Sequence, residues 1–464
     1  MAQVGPPSLR CGGASRRACA SSWSEFAGAQ RIVARLLKGH RRHNGIIYSS
    51  LIPVMGSKAP SLARLFLLIE NPFFGFLFAF VTYFLLSTRG GSPFHVTRTA
   101  YFNYLADAFL HGQFYLRLLP MTTYDLSYFS GHYYLYWPPM PAIPLMPFIA
   151  IFGVGFSDVF FDTVLGSLNV AVVAALLRAA DRAGLIRISA VYRALLVCFF
   201  AFGTSHLILA LFGRVWFTAQ LLGFLLVGLA YLSAIELRGA LSFLATGLLM
   251  GCAMLTRNHL IFTGIWPAYY LISKNWTNQP KVYFYAVMGL LPVLVLGLLL
   301  LAYNVARFGS PLEEGIHYHH MAVRYVQDYK KYGAFNLHYV PINFYYQYIY
   351  YPLPASEESY MGGSLFLLSP VFFYIFRAII REFRNLHIWL WVVSILATSI
   401  PILLLMGTGW VQYGPRYTLD FTIPLLLLTA RGIQGTSKSL LTLLTVISIL
   451  EYIPGLFLFV RLHL

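Results

Sequence analysis

From residue 65 onward the chain is a series of apolar runs separated by short basic turns and two long aromatic segments. A helix crossing a bilayer core needs about 20 predominantly apolar residues. The runs predict spans at 65–86, 158–180, 190–212, 215–236, 240–256, 259–273, 282–304, 364–380, 387–406, 417–431 and 440–460. The stretch 138–153 is also apolar, but it contains Pro138, Pro139, Pro141, Pro144 and Pro147. Proline removes a backbone donor and breaks regular helix, and irregular backbone is not tolerated against lipid. This stretch is therefore read as an interfacial or re-entrant piece. The expected fold is an all-α polytopic membrane protein with about 11 transmembrane helices.

Charge tests that count. With 138–153 not spanning, one side of the membrane receives Arg178, Arg182, Arg187, Arg238, Lys274, Lys281, Arg377, Arg381, Arg384, Arg431 and Lys438 together with the basic N-terminal tail. That is the pattern of the positive-inside rule. It predicts a cytosolic N-terminus, an external C-terminus, and two long outer loops at 87–157 and 305–363. Residues 1–60 are rich in Arg, Ser, Ala and Gly, with Glu25 as their one acid. They suit a disordered basic cytosolic tail, or a start placed upstream of Met55, better than an organelle transit peptide. Residues 61–464 form the polytopic domain.

Composition narrows the function classes. The chain is 58% hydrophobic and 11% charged, which fits a multi-span membrane protein. Its net charge of +17 would otherwise suggest nucleic acid. The basic residues lie in the tail and at helix ends, so nucleic acid is not an expected partner. Four cysteines give no disulfide framework. Few ionisable residues fall in mid-span, where a transporter would need them, and no inverted repeat is evident.

The unusual residues gather at the outer face. Asp107 lies in a stretch of helical period that ends at Gly112, with His111 four residues on. This predicts a short amphipathic helix lying on the membrane. Asp125 sits two before Ser127, a spacing that also suits a local turn. Tyr133, Tyr136 and Trp137 belong to a tyrosine-rich run of the kind that lines membrane interfaces and also stacks on sugars. Asp158 and Asp162 are read as acids at a helix N-terminus. Arg257 and Arg416 stand at outer helix ends, where an arginine can snorkel or hold phosphate. Arg416 and Asp420 are spaced to pair. His317, His319 and His320 with Glu313 and Glu314 leave a divalent metal open as a cofactor, although the spacing matches no closed site.

Taken in order, Leu105–Gly112, Asp125–Ser127, Tyr136–Pro139, Leu255–Arg257, Asn304–Gly309 and Gly414–Asp420 resemble the GT-C superfamily of integral-membrane glycosyltransferases. The resemblance is nearest to bacterial members of family 39, the protein O-mannosyltransferase and aminoarabinose transferase type, and covers most of residues 65–460. It implies a polyprenyl-phosphate sugar donor, an acid in the first outer loop, and chemistry at the outer leaflet of a bacterial inner (plasma) membrane. The acceptor is open between glycan, lipid and protein. Many members carry an acid soon after the first helix, but Gly91–Ala100 has none. The role of base then falls to Asp107 first and Asp125 second, with Arg257 and Arg416 on the lipid phosphate. His111, Arg307, Tyr133, Tyr136 and Trp137 are expected around the sugar. The alternative is a flippase that moves a lipid-linked saccharide without bond chemistry.

Overall fold

The computed structural model describes residues 66–88, 92–276, 279–407 and 409–463, so the expectations for the N-terminal tail lie outside the described residues. In chain order the main elements are α1 (Pro72–Ser87), α2 (Tyr101–Leu110), β1 (Leu126–Phe129), β2 (His132–Leu135), α3 (Met146–Phe152), α4 (Asp158–Arg182), α5 (Ala190–Phe202) and α6 (His206–Phe212). These are followed by α7 (Val215–Glu236), α8 (Gly239–Met254), α9 (Ile265–Asn275), α10 (Gln279–Phe308), α11 (Val323–Tyr332), α12 (Tyr374–Arg381), α13 (Leu386–Leu404), α14 (Thr422–Gly432) and α15 (Lys438–His463). The chain is predominantly helical, and its strands are short.

Helix occurs in each of the eleven apolar runs, but not always at spanning length. Among the described residues five helices are long and apolar enough to cross a membrane: α4, α7, α10, α13 and α15. The pair α5 and α6, bent by 51°, would make a sixth span. Several of the remaining runs spend residues on tight turns. The α9 run opens with a 3-10 segment at Asn258–Gly264 and the α14 run with one at Arg416–Phe421, while the α12 run is broken by one at Pro370–Phe373, after a four-residue helix at Leu365–Leu368. Pro370 and Pro415 lack the backbone donor that would extend those helices. The proline-rich stretch after Trp137 forms a 3-10 turn at Met140–Ala142 and the seven-residue α3, too short to span.

The amphipathic helix expected on the membrane surface is instead mostly buried. In α2, Tyr101, Phe102, Asn103, Leu105, Ala106, Asp107 and Ala108 are all covered. Asn103 donates to the carbonyls of Val154 and Phe156, which ties α2 to the segment preceding α4. Strands β1 and β2 pair antiparallel. Ser130 and Gly131 between them both have positive φ, 48° and 85°, as a two-residue type I′ turn requires.

The two long loops meet. Asp125 N–H donates to the His320 carbonyl at 3.0 Å, and His320 N–H donates to the Leu126 carbonyl at 2.8 Å. Ser127 Oγ–H donates to the Gly315 carbonyl at 2.7 Å. The segment after α13 joins the second loop through Met361–Gly362 pairing with Gln412–Tyr413. At the other helix ends the basic residues find anions and carbonyls. Arg182 pairs with Glu236, and Arg193 with Glu70 and Asp181. Lys274 caps the α7 carbonyls of Ala234 and Ile235, as a cation at a helix C-terminus should.

Close backbone approach fixes α8 against α10. A Cβ on Gly247 would lie 1.8 Å from the Gly289 carbonyl oxygen, the small-residue contact typical of membrane helix pairs. Gly247→Val is expected to push the helices apart and cost about 1–3 kcal/mol or more. Thermal unfolding in detergent checks it, and an unchanged midpoint would contradict this packing.

Candidate functional site

Three separate segments supply the polar residues at the loop-bearing end of the helices. The first is Asp125–Trp137, from the loop that holds the β1–β2 hairpin. Asp125 itself has φ 63°, a left-handed conformation that Asp and Asn tolerate better than most residues. The local turn expected with Ser127 does not engage the carboxylate. Its Oδ1 instead meets His319 Nε2 at 3.1 Å, and the carboxylate remains 30% exposed. His319 is brought there by the β-bridge between Ser127 and His319. Its ring lies 4.6 Å from that of Tyr136, which stacks on Trp137 at 3.9 Å.

The second segment follows α8. Arg257 Nε donates to Asp420 Oδ2 at 3.0 Å, and His259 Nε2 meets the same oxygen at 2.7 Å. Asp420 is buried, with its side chain only 1% exposed. The third segment is the 3-10 turn Arg416–Phe421. The pairing expected between Arg416 and Asp420 is not the principal one, because Asp420 points to Arg257. Gln220 of α7 donates to the Arg416 carbonyl at 2.9 Å and so holds that turn. The Arg416 guanidinium lies over the rings of Tyr417, Trp216 and Phe217, at 4.7, 5.5 and 5.9 Å. Its Nη2 reaches Tyr417 Oη at 3.4 Å. Nε and Nη1 are buried and have no hydrogen-bond partner among the described residues. Burial lowers the Arg416 pKa from its ordinary value and the Arg257 charge lowers it further, while Tyr417, Asp420 and Tyr136 work against that.

Tyr136 joins the three segments. Burial of its hydroxyl raises its pKa well above the ordinary tyrosine value; the Asp125 and Tyr417 oxygens raise it further, while Arg416 and Arg257 lower it. One phenol therefore lies in the fields of Asp125 and of both arginines. Tyr325 of α11 has similar surroundings: burial pushes its pKa up to about 12, and Arg416 and Asp125 both act on it.

The other expected residues lie elsewhere. Asp107 is clamped by Arg117, with Nε–Oδ2 at 3.0 Å and Nη2–Oδ1 at 2.9 Å. That bidentate bond occupies both carboxylate oxygens. His111 caps the end of α2 through the Asp107 carbonyl at 2.8 Å. Arg307 donates to the Leu135 carbonyl and to Asn304 Oδ1, both at 2.7 Å, and lies 4.0 Å from the Tyr303 ring. It fastens the end of α10 to the hairpin. Tyr133 packs on Tyr128 across the hairpin at 4.9 Å. Asp158 accepts from Thr97 N and Oγ1 at the start of α4. Asp162 is buried on the same helix, facing Thr218 and the Arg214 backbone N–H.

The histidines part company. His317 meets Glu313, His319 meets Asp125, and His320 stacks on Tyr124. Among the described residues no group of three or more His, Cys, Asp or Glu side chains could hold a metal ion. Residues that sequence reading passed over are His259, Gln220, Trp216, Tyr325 and Tyr417. The one signal for Gln220 was a polar residue in the middle of an apolar run.

No family model and no curated protein sequence matches the chain. Two solved structures are similar to it. One is ArnT from Cupriavidus metallidurans bound to undecaprenyl phosphate, at 13% identity and a TM-score of 0.43, covering 82% of this chain and 61% of that one. The other is the apo oligosaccharyltransferase of Archaeoglobus fulgidus, at 11% identity and a TM-score of 0.45, covering 84% and 56%. The chain thus spans less than two thirds of the length of either.

Proposed function

We propose that this chain is a membrane-embedded glycosyltransferase that moves a sugar from a polyprenyl phosphate to an acceptor hydroxyl at the outer face of a bacterial inner membrane. The reading is supported by a chain of contacts that runs from Asp125 through His319, Tyr136, Trp137 and Trp216 to Arg416. A carboxylate and a buried guanidinium at the two ends of one aromatic path suit an attack that needs a base on one side and an anion holder on the other.

In this reading the acceptor oxygen bonds to the anomeric carbon while the bond from that carbon to the phosphate oxygen breaks. The hydroxyl proton passes to Asp125. The bonding pair leaves with the lipid phosphate, whose growing negative charge Arg416 meets with its unpartnered Nε and Nη1. No general acid is required, because the leaving group is already a stable anion. The step corresponds to the base half of an inverting glycosidase. His319 orients the carboxylate, and the Tyr136–Trp137 stack offers an aromatic face to the sugar. Asp107 stands second as base, because reaching it would require breaking its bidentate bond with Arg117.

Proteoliposomes containing the purified chain and a labelled polyprenyl-phosphate hexose test the reading. The expected product is free polyprenyl phosphate. Movement of intact lipid-sugar across the bilayer without cleavage would favour a flippase and overturn the transferase assignment.

A further inference from the structure

The donors around Arg416 extend beyond the arginines. Trp216 lies in the first turn of α7. Its ring lies against two guanidiniums, with the Cζ of Arg416 at 5.5 Å and that of Arg214 at 5.8 Å. Trp137, which stacks on Tyr136, is 6.5 Å away. The Trp216 indole Nε1–H is buried and has no hydrogen-bond partner among the described residues. An indole nitrogen can only donate, and a buried donor without an acceptor is costly. Arg416 presents two more donors of the same kind from a side chain only 5% exposed. The start of a helix adds the positive end of its macrodipole.

Three buried donors, two against the same aromatic wall and all lacking an acceptor, describe a receptor for an oxyanion. A phosphate oxygen meets such donors as a charged acceptor, whereas a sugar hydroxyl accepts more weakly and brings a donor of its own. We infer that Trp216 is a phosphate-binding residue, its Nε1–H donating to a non-bridging oxygen of the lipid phosphate held by Arg416. The inference rests on the lipid-phosphate reading above and adds a recognition element that Arg416 alone does not supply. Trp216 acts here through a hydrogen bond. Its ring serves separately as a wall for the guanidiniums, and the two roles come apart on substitution.

Trp216→Phe keeps an aromatic ring and removes the donor. The probe is farnesyl phosphate, a short polyprenyl phosphate, with farnesol as the uncharged control, binding to the full chain in detergent. Loss of one charge-assisted hydrogen bond is expected to weaken farnesyl phosphate about tenfold, with farnesol binding unchanged and the unfolding temperature retained. Unchanged farnesyl phosphate affinity in W216F, alongside a loss in R416Q, would overturn the Trp216 assignment and leave the lipid-phosphate reading standing. A wild-type chain that binds farnesyl phosphate no better than farnesol would overturn both. A second measurement needs no variant. In the wild-type chain with 15N-labelled indoles, one of the eight tryptophan N–H signals is expected to shift on adding farnesyl phosphate. If none shifts, the assignment is overturned.

Discussion

Asp125→Asn is expected to reduce sugar transfer by about 10²–10⁴-fold, the usual contribution of a positioned general base, without lowering the unfolding temperature. Asparagine suits this test because it tolerates the left-handed backbone that Asp125 adopts. It can also still meet His319 across the 3.1 Å contact. What it loses is the capacity to take a proton at neutral pH. Asp107→Asn should behave differently. It weakens a bidentate bond to an arginine whose side chain is 39% exposed, so solvent screening keeps the stability cost small, and transfer should persist. Initial rates and unfolding midpoints of the two variants, measured side by side, separate these roles. The reverse ranking, with D107N inactive and D125N active, would return the base to the buried helix of the first loop.

The second large effect concerns Asp420. Removing one partner from a buried ion pair typically costs about 3–5 kcal/mol, because the other charge is left uncompensated. Asp420 accepts from both Arg257 and His259 through one oxygen, and Arg257 is itself buried. Asp420→Asn should therefore cause a large loss of stability, against a total that is only about 5–15 kcal/mol for ordinary domains. The double variant D420N/R257Q should recover part of the loss, because the orphaned charge is gone. A double-mutant cycle on unfolding free energies measures this coupling. Additive losses in the cycle would mean that the pair is not energetically linked.

Much of the fold was legible because lipid imposes a coarse, one-dimensional rule. Apolar runs predicted helix at all eleven positions, and the proline density at 138–147 falls where the chain forms only a 3-10 turn and the seven-residue α3. Span length was less legible. The 3-10 turns before α9, α12 and α14 go with the Asn258–Glu314 contact, the missing backbone donor of Pro370 and the Gln220 bond to the Arg416 carbonyl, and hydropathy does not register these.

The candidate site was legible by residue type and opaque by pairing. Asp125, Arg257, Arg416, Tyr136 and Trp137 were all nominated from their chemistry. Their mutual arrangement depends on contacts across long sequence separations. Asp125 meets His319 194 residues later, and Arg257 meets Asp420 163 residues later. Periodicity reports which face a side chain occupies, not which distant element covers that face. The same limit bears on Asp107. Helical spacing pointed to His111, whereas the decisive partner, Arg117, lies beyond the end of the helix. The histidine cluster at 317–320 suggested metal because the residues are neighbours in sequence. The bridge at Ser127 and the local pairing with Glu313 send them to different partners.

The most direct test is donor cleavage. Polyprenyl-phosphate hexoses would be supplied one at a time to the purified wild-type chain, D107N and D125N, with release of polyprenyl phosphate followed over time. Release is expected from at least one donor with the wild-type chain and with D107N, and reduced at least about a hundredfold in D125N. Cleavage by D125N at the wild-type rate, or no cleavage of any donor by the wild-type chain, would contradict this expectation.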